Sequence, residues 1–121
     1  MGGVFMEQIF NKLVRDKIPD KIESNGEKAI TRSLNDEEYR IELYKKLEEE
    51  SQEVINSQNS EETLEELADV LEVLKAIAEL NNKELEDVIA TADQKRLKRG
   101  GFEKRIFLER TYNKEGNNVS K

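Results

Sequence analysis

The sequence predicts a mainly α chain, an antiparallel helical bundle of the all-α type with at most two short strands. Three observations lead there. Apolar residues recur at helical spacing through two long segments, about 36–57 and 61–80. Polar residues suited to N-capping stand at the start of each. The connections between the periodic segments are short, which makes neighbouring helices antiparallel. Composition alone would not decide the class. Charged residues are 39% of the 121 and hydrophobic residues 36%, a balance that leans toward disorder. The arrangement of the apolar residues therefore carries the argument for a single helical domain over 1–112, with a disordered polar tail at 113–121.

Taken in order, residues 1–10 read as a leader, with Met6 an alternative start. Asn11 to Pro19 mixes charge and apolar residues, and Pro19, the one proline, suits the first turn of a short helix ending near Ser24. Asn25-Gly26 reads as its stop. A short strand is expected near 28–34, around Ile30 and Thr31. Asn35 or Asp36 then caps the first long helix, with Asp36, Glu37 and Glu38 in its first turn. Asn56 to Ser60 is a polar connection. Ser60 is the expected N-cap of the second long helix, followed by Glu61 and Glu62. Asn81-Asn82 breaks that helix, and Asn81 with Glu84 has capping-box spacing for a third helix, about 82–99. Gly100-Gly101 ends it. A second short strand is expected near 105–110, around Ile106-Phe107-Leu108. No internal repeat is present.

Several function classes fall away. The net charge of −7 suits neither duplex nucleic acid nor an anionic membrane. The chain has no Cys and no His, so it has no thiolate site and no imidazole base or ligand. Any metal must be held by oxygen, which favours Mg²⁺, Mn²⁺ or Ca²⁺. The N-terminus lacks the basic and apolar regions of a signal peptide, and no run reaches transmembrane length, so a cytoplasmic protein is expected. The core is lean for one chain, and burial of helix faces against a second copy, in a homodimer or larger assembly, is the expected remedy.

Four acids do not fit a solvated face. On a wheel of about 100° per residue, Tyr39, Leu43, Leu47 and Val54 form one apolar stripe. Glu50 falls inside it and Glu53 lies one turn on at its edge. The second helix, with Leu64, Leu67, Val70, Leu71, Val73, Leu74, Ile77 and Leu80, reads as nearly buried all round. Glu66 lies within that apolar arc and Asp69 at its border. Each helix thus carries an acid pair at i, i+3 spacing, on one face. Such carboxylates are protonated, paired with basic groups, or bridged by cations. Spacing alone leaves interior salt bridges and a metal site about equally open.

The segment Glu49-Glu50-Ser51-Gln52-Glu53, then twelve residues, then Glu66-Leu67-Ala68-Asp69 resembles the signature of the all-α NTP pyrophosphohydrolase superfamily. That superfamily takes in the MazG, dimeric dUTPase and phosphoribosyl-ATP pyrophosphohydrolase groups. The flanks Asn11-Lys12-Leu13-Val14-Arg15-Asp16-Lys17-Ile18-Pro19 and Lys95 through Arg99-Gly100-Gly101-Phe102 are similar to the small single-domain phosphoribosyl-ATP pyrophosphohydrolase-like branch, so the resemblance covers about 10–110. It implies Glu50, Glu53, Glu66 and Asp69 as metal ligands and Glu49 as an orienter of the attacking water. It implies Mg²⁺ as cofactor, with Mn²⁺ as a substitute, and a nucleoside triphosphate or related phosphorylated nucleotide as substrate.

The metal would neutralise phosphate oxygens and acidify water during α–β cleavage. Mg²⁺ takes one or two protein carboxylates at a time, so four acids suggest more than one ion with substrate bound. Lys95 and Arg99, at i, i+4, match the branch pattern and are candidates for phosphate contact. As plain chemistry they are favourable cations at a helix C-terminus. Lys12, Arg15 and Asp16 are a second candidate cluster, with a surface ion-pair group that tethers the N-terminal segment as the plainer role. No glycine-rich phosphate loop is present. The expected function is metal-dependent pyrophosphohydrolysis of nucleoside triphosphates, including the clearing of non-standard nucleotides. The alternatives are the phosphoribosyl-ATP step of histidine synthesis, on the same scaffold, and a helical dimerisation module without turnover.

Overall fold

The structure is a computed structural model that describes residues 6–113. The fold is mainly α, with four helices among the described residues: α1 (Ile18–Ser24), α2 (Asp36–Asn56), α3 (Ser60–Leu80) and α4 (Leu85–Arg99). The chain divides into two compact units, residues 1–88 and 89–121. No described helix is long and apolar enough to cross a membrane. Residues 1–5 of the expected leader and 114–121 of the expected tail lie outside the described residues.

In the first unit, Pro19 sits in the opening turn of α1 as expected, and its missing N–H removes a donor that would lack a partner there. Gly26 closes the helix at φ +91°, a left-handed conformation that glycine adopts without a side-chain clash. Asn35 caps α2 with a complete capping box. Its side chain accepts from Glu38 N at 2.8 Å, and the Glu38 carboxylate accepts from Asn35 N at 3.2 Å.

The three-residue connection Ser57–Asn59 makes α2 and α3 antiparallel, and these two helices pack on each other. Gln58 N donates to Glu62 Oε2 at 2.7 Å, and the hydroxyls of Ser57 and Thr63 meet at 2.7 Å. Asn59, and not Ser60, is the N-cap of α3, accepting from Glu62 N at 2.9 Å.

Two expected strands do not form. Residues 28–34 form no regular structure and find no ladder partner among the described residues, and Ile30 is left 86% exposed. The segment turns to the start of α2 instead, where the Arg32 guanidinium donates to both Glu38 oxygens at 3.3 and 3.2 Å. That hydrogen bond, with the Asn35 N–H, holds the Glu38 carboxyl below its ordinary range. At 105–110, Arg105 begins the segment in the left-handed region, φ +56°, and Ile106 and Phe107 stand exposed. A strand is stable only when a neighbour satisfies its backbone groups, and neither segment has one among the described residues.

The third expected helix starts later than its spacing suggests. Asn81 closes α3: its N–H reaches the Ile77 and Ala78 carbonyls, and its side chain donates to Ile77 O at 2.8 Å. Asn82 follows at φ +60°. Asn81 is therefore unable to cap the next helix. α4 begins at Leu85, where Glu84 N donates to Asp87 Oδ2 at 2.8 Å. In the second unit α4 stops at Gly100, φ +80°, as expected.

The α2–α3 seam buries Leu43, at 3% exposure, with Val73 and Ala78. The expectation that α3 is buried nearly all round is not met within this chain. Leu64 is 69% exposed, and Leu67 and Leu71 stand about half exposed. One partner helix covers one stripe of α3 and leaves the rest to solvent.

Candidate metal centre

The antiparallel turn brings one acid of each pair, Glu50 and Glu66, to the same level. Glu50 and Glu66 stand at equal distances from the ends of their helices, about 9 Å along each axis at 1.5 Å per residue. Glu53 lies one turn nearer the connection and Asp69 one turn farther from it. Carboxylate oxygens of Glu50, Glu66 and Asp69 lie within 4.8 Å of one another, and all three residues are half-buried. Glu53 is exposed and does not belong to that group of three, though its charge acts on Glu66.

Three basic side chains meet these acids or the neighbouring Glu49. Arg15 Nη2 donates to Asp69 Oδ1 at 2.6 Å. Lys46 lies 3.5 Å from Glu50 and 3.6 Å from Glu49, and Lys12 lies 3.9 Å from Glu49. The ion-pair reading of the acids is thus realised at Asp69, Glu50 and Glu49. Glu66 differs. Its carboxyl is pushed above its ordinary value, first by desolvation and then by the charges of Asp69, Glu53, Glu50 and Glu65. No basic group among the described residues offsets that. Desolvation and like charge both favour the protonated form of such a carboxyl, and a divalent cation would favour the ionised one.

An open cleft of about 290 Å³ lies against this cluster. Lys12, Arg15 and Lys46 supply its basic side, Glu50 and Asp69 its acidic side, and Val14 and Ile18 its apolar lining. Oxygen donors alone, from two rigid helices, can hold a hard divalent ion such as Mg²⁺ or Mn²⁺.

The residues singled out in the sequence are distributed as follows. Glu49, Glu50, Glu53, Glu66 and Asp69 lie in the first unit with Lys12 and Arg15, and Lys12 and Arg15 line the cleft. Lys95 and Arg99 are exposed residues of α4 in the second unit. Lys46 went unnoticed in the sequence. Its signal was there: it stands at i−3 from Glu49 and i−4 from Glu50, on their helix face.

Residues 8–96 match the family model of phosphoribosyl-ATP pyrophosphohydrolase. Among curated proteins and among solved structures, nothing matches the chain. The matched span takes in every acid of the cluster, the three basic residues of the cleft and Lys95, and ends before Arg99.

Proposed function

Because the chain belongs to the phosphoribosyl-ATP pyrophosphohydrolase family, and with it to the all-α pyrophosphohydrolases, we propose that it cleaves nucleoside triphosphates between the α and β phosphorus atoms. Water adds at the α phosphorus, the bond to the bridging oxygen breaks, and pyrophosphate leaves. The observation that carries this reading is the convergence of Glu50, Glu66 and Asp69 from two helices beside a cleft with a basic side.

Glu50, Glu66 and Asp69 would hold the divalent ion, with Glu53 one turn from Glu50 on α2. Once bound, Mg²⁺ or Mn²⁺ supplies neutralisation of the phosphate oxygens and acidification of a water. Lys12, Arg15 and Lys46 receive the phosphate chain. Each is already held near an anionic group, and a phosphate can replace the carboxylate it faces. Glu49, between Lys12 and Lys46, orients the attacking water.

Phosphoribosyl-ATP is the second reading, favoured by the family's own description. It carries the same α–β bond and asks the same work of the site. A pyrophosphate-release assay with Mg²⁺ or Mn²⁺, run over standard and non-standard nucleoside triphosphates and phosphoribosyl-ATP, tests both. Release from triphosphates generally supports the first reading, and release from phosphoribosyl-ATP alone supports the second. No release from any of them leaves the dimerisation module.

A further inference from the structure

We propose that Arg15 is an exchangeable counter-ion that couples cation loading to nucleotide binding. Its guanidinium holds Asp69 when no divalent cation is bound and turns to the substrate's phosphates when one is. The inference rests on the proposed function above.

Three features of the contact carry it. Arg15 and Asp69 are 54 positions apart in sequence, and the 2.6 Å bond is made to one carboxylate oxygen of the cluster itself. A divalent ion that takes the same oxygen competes with the guanidinium for it. Arg15 lies just before α1 and not on either helix that carries the acids, and the bond to Asp69 is made by its side chain alone, so it can be given up by a side-chain rotation. The pair is also weak: its side chains are 57% and 41% exposed, and exposed ion pairs contribute little. A divalent ion carries twice the charge and has Glu50 and Glu66 as additional ligands, so it wins that exchange.

The released guanidinium stays in a cleft shared with Lys12 and Lys46. Its planar fork then suits the bidentate geometry of phosphate oxygens. The two binding events become linked. A cation that frees Arg15 favours nucleotide, and a nucleotide that takes Arg15 favours the cation by the same factor.

The test compares the full chain with Arg15→Met and Arg15→Lys by isothermal titration calorimetry. Mn²⁺ is titrated first without nucleotide, then an α,β-methylene nucleoside triphosphate in saturating Mn²⁺. For Arg15→Met the Mn²⁺ affinity rises about two- to five-fold, the value of an exposed ion pair, while the analogue affinity falls about ten-fold. Arg15→Lys keeps the charge without the fork and gives an intermediate analogue affinity. Mn²⁺ binding by Arg15→Met that is no tighter than the parent's, or analogue binding that does not weaken, overturns the exchange and leaves the metal site standing. A parent chain that binds no Mn²⁺ at millimolar concentration overturns the proposed function and the exchange together.

Discussion

The least comfortable residue of the cluster is Glu66, and its discomfort has a measurable sign. Its carboxyl titrates above the ordinary carboxylate range. Between the unfolded and folded values the native state binds the extra proton. Stability of the metal-free protein from this group therefore falls as pH rises through that window. Glu38 works the other way, since its lowered carboxyl gives stability that is lost in acid. Glu66→Gln isolates the first effect. The variant melts higher than the parent at neutral pH without metal, and the difference closes as pH falls through the titration of Glu66. A variant that melts lower at neutral pH would mean that Glu66 has a partner.

The ligands are also expected to act together. Glu50→Gln weakens Mn²⁺ binding and leaves the helices intact. Glu50→Gln or Asp69→Asn alone removes most turnover, and the double change costs little more, because residues acting as a unit are not additive. Glu53 stands outside the group of three, so Glu53→Gln costs less than either. Melts beside pyrophosphate-release assays decide: variants that lose activity only in proportion to their folded fraction would support plain ion pairing.

At the scale of the element, the turn between α2 and α3 sets the site, because it fixes which levels of the two helices meet. Asn59 is the main device there, capping α3 through Glu62 N. Asn59→Ala is expected to cost about 1 kcal/mol of stability, read as a shift in urea midpoint, and to lower activity modestly by loosening the level of Glu66. An unchanged midpoint would show that the Gln58–Glu62 and Ser57–Thr63 contacts suffice. The capping chemistry was legible in part. The sequence left Asn35 and Asp36 open as the cap of α2, and the box with Glu38 settles it on Asn35. Ser60 was the expected cap of α3, and Asn59 takes that place one residue earlier. Asn81 had two possible duties, closing α3 or opening α4, and the closing duty prevailed because its side chain reaches back to Ile77 O.

For the whole molecule, the imbalance is apolar surface. Ile41, Tyr44 and Ile55 of α2, and Leu64, Leu67 and Leu71 of α3, are exposed on a pair of helices with a small core. We propose a homodimer or larger, in which helices of two copies cover one another. Light scattering at micromolar concentration is then expected to give at least twice the 14.0 kDa chain mass, and Leu67→Lys to lower both that mass and the melting temperature. A monomeric parent would overturn the assembly.

The sequence alone determined whatever depends on near neighbours. Helical periods, Pro19 at a first turn, Gly26 and Gly100 as stops, and acid pairs at i, i+3 are all contained within a turn or two of chain. Only the tertiary structure decided what needs two distant segments. The strands near 28–34 and 105–110 failed for want of a ladder partner, which alternation in one segment cannot supply. Glu50, Glu66 and Asp69 converge while Glu53 stays outside, a difference that the i, i+3 spacing common to both pairs cannot express. Arg15 reaches Asp69 across 54 positions. A charge pair at such separation leaves no periodic trace in the sequence, since Coulomb attraction depends on distance in space and not along the chain.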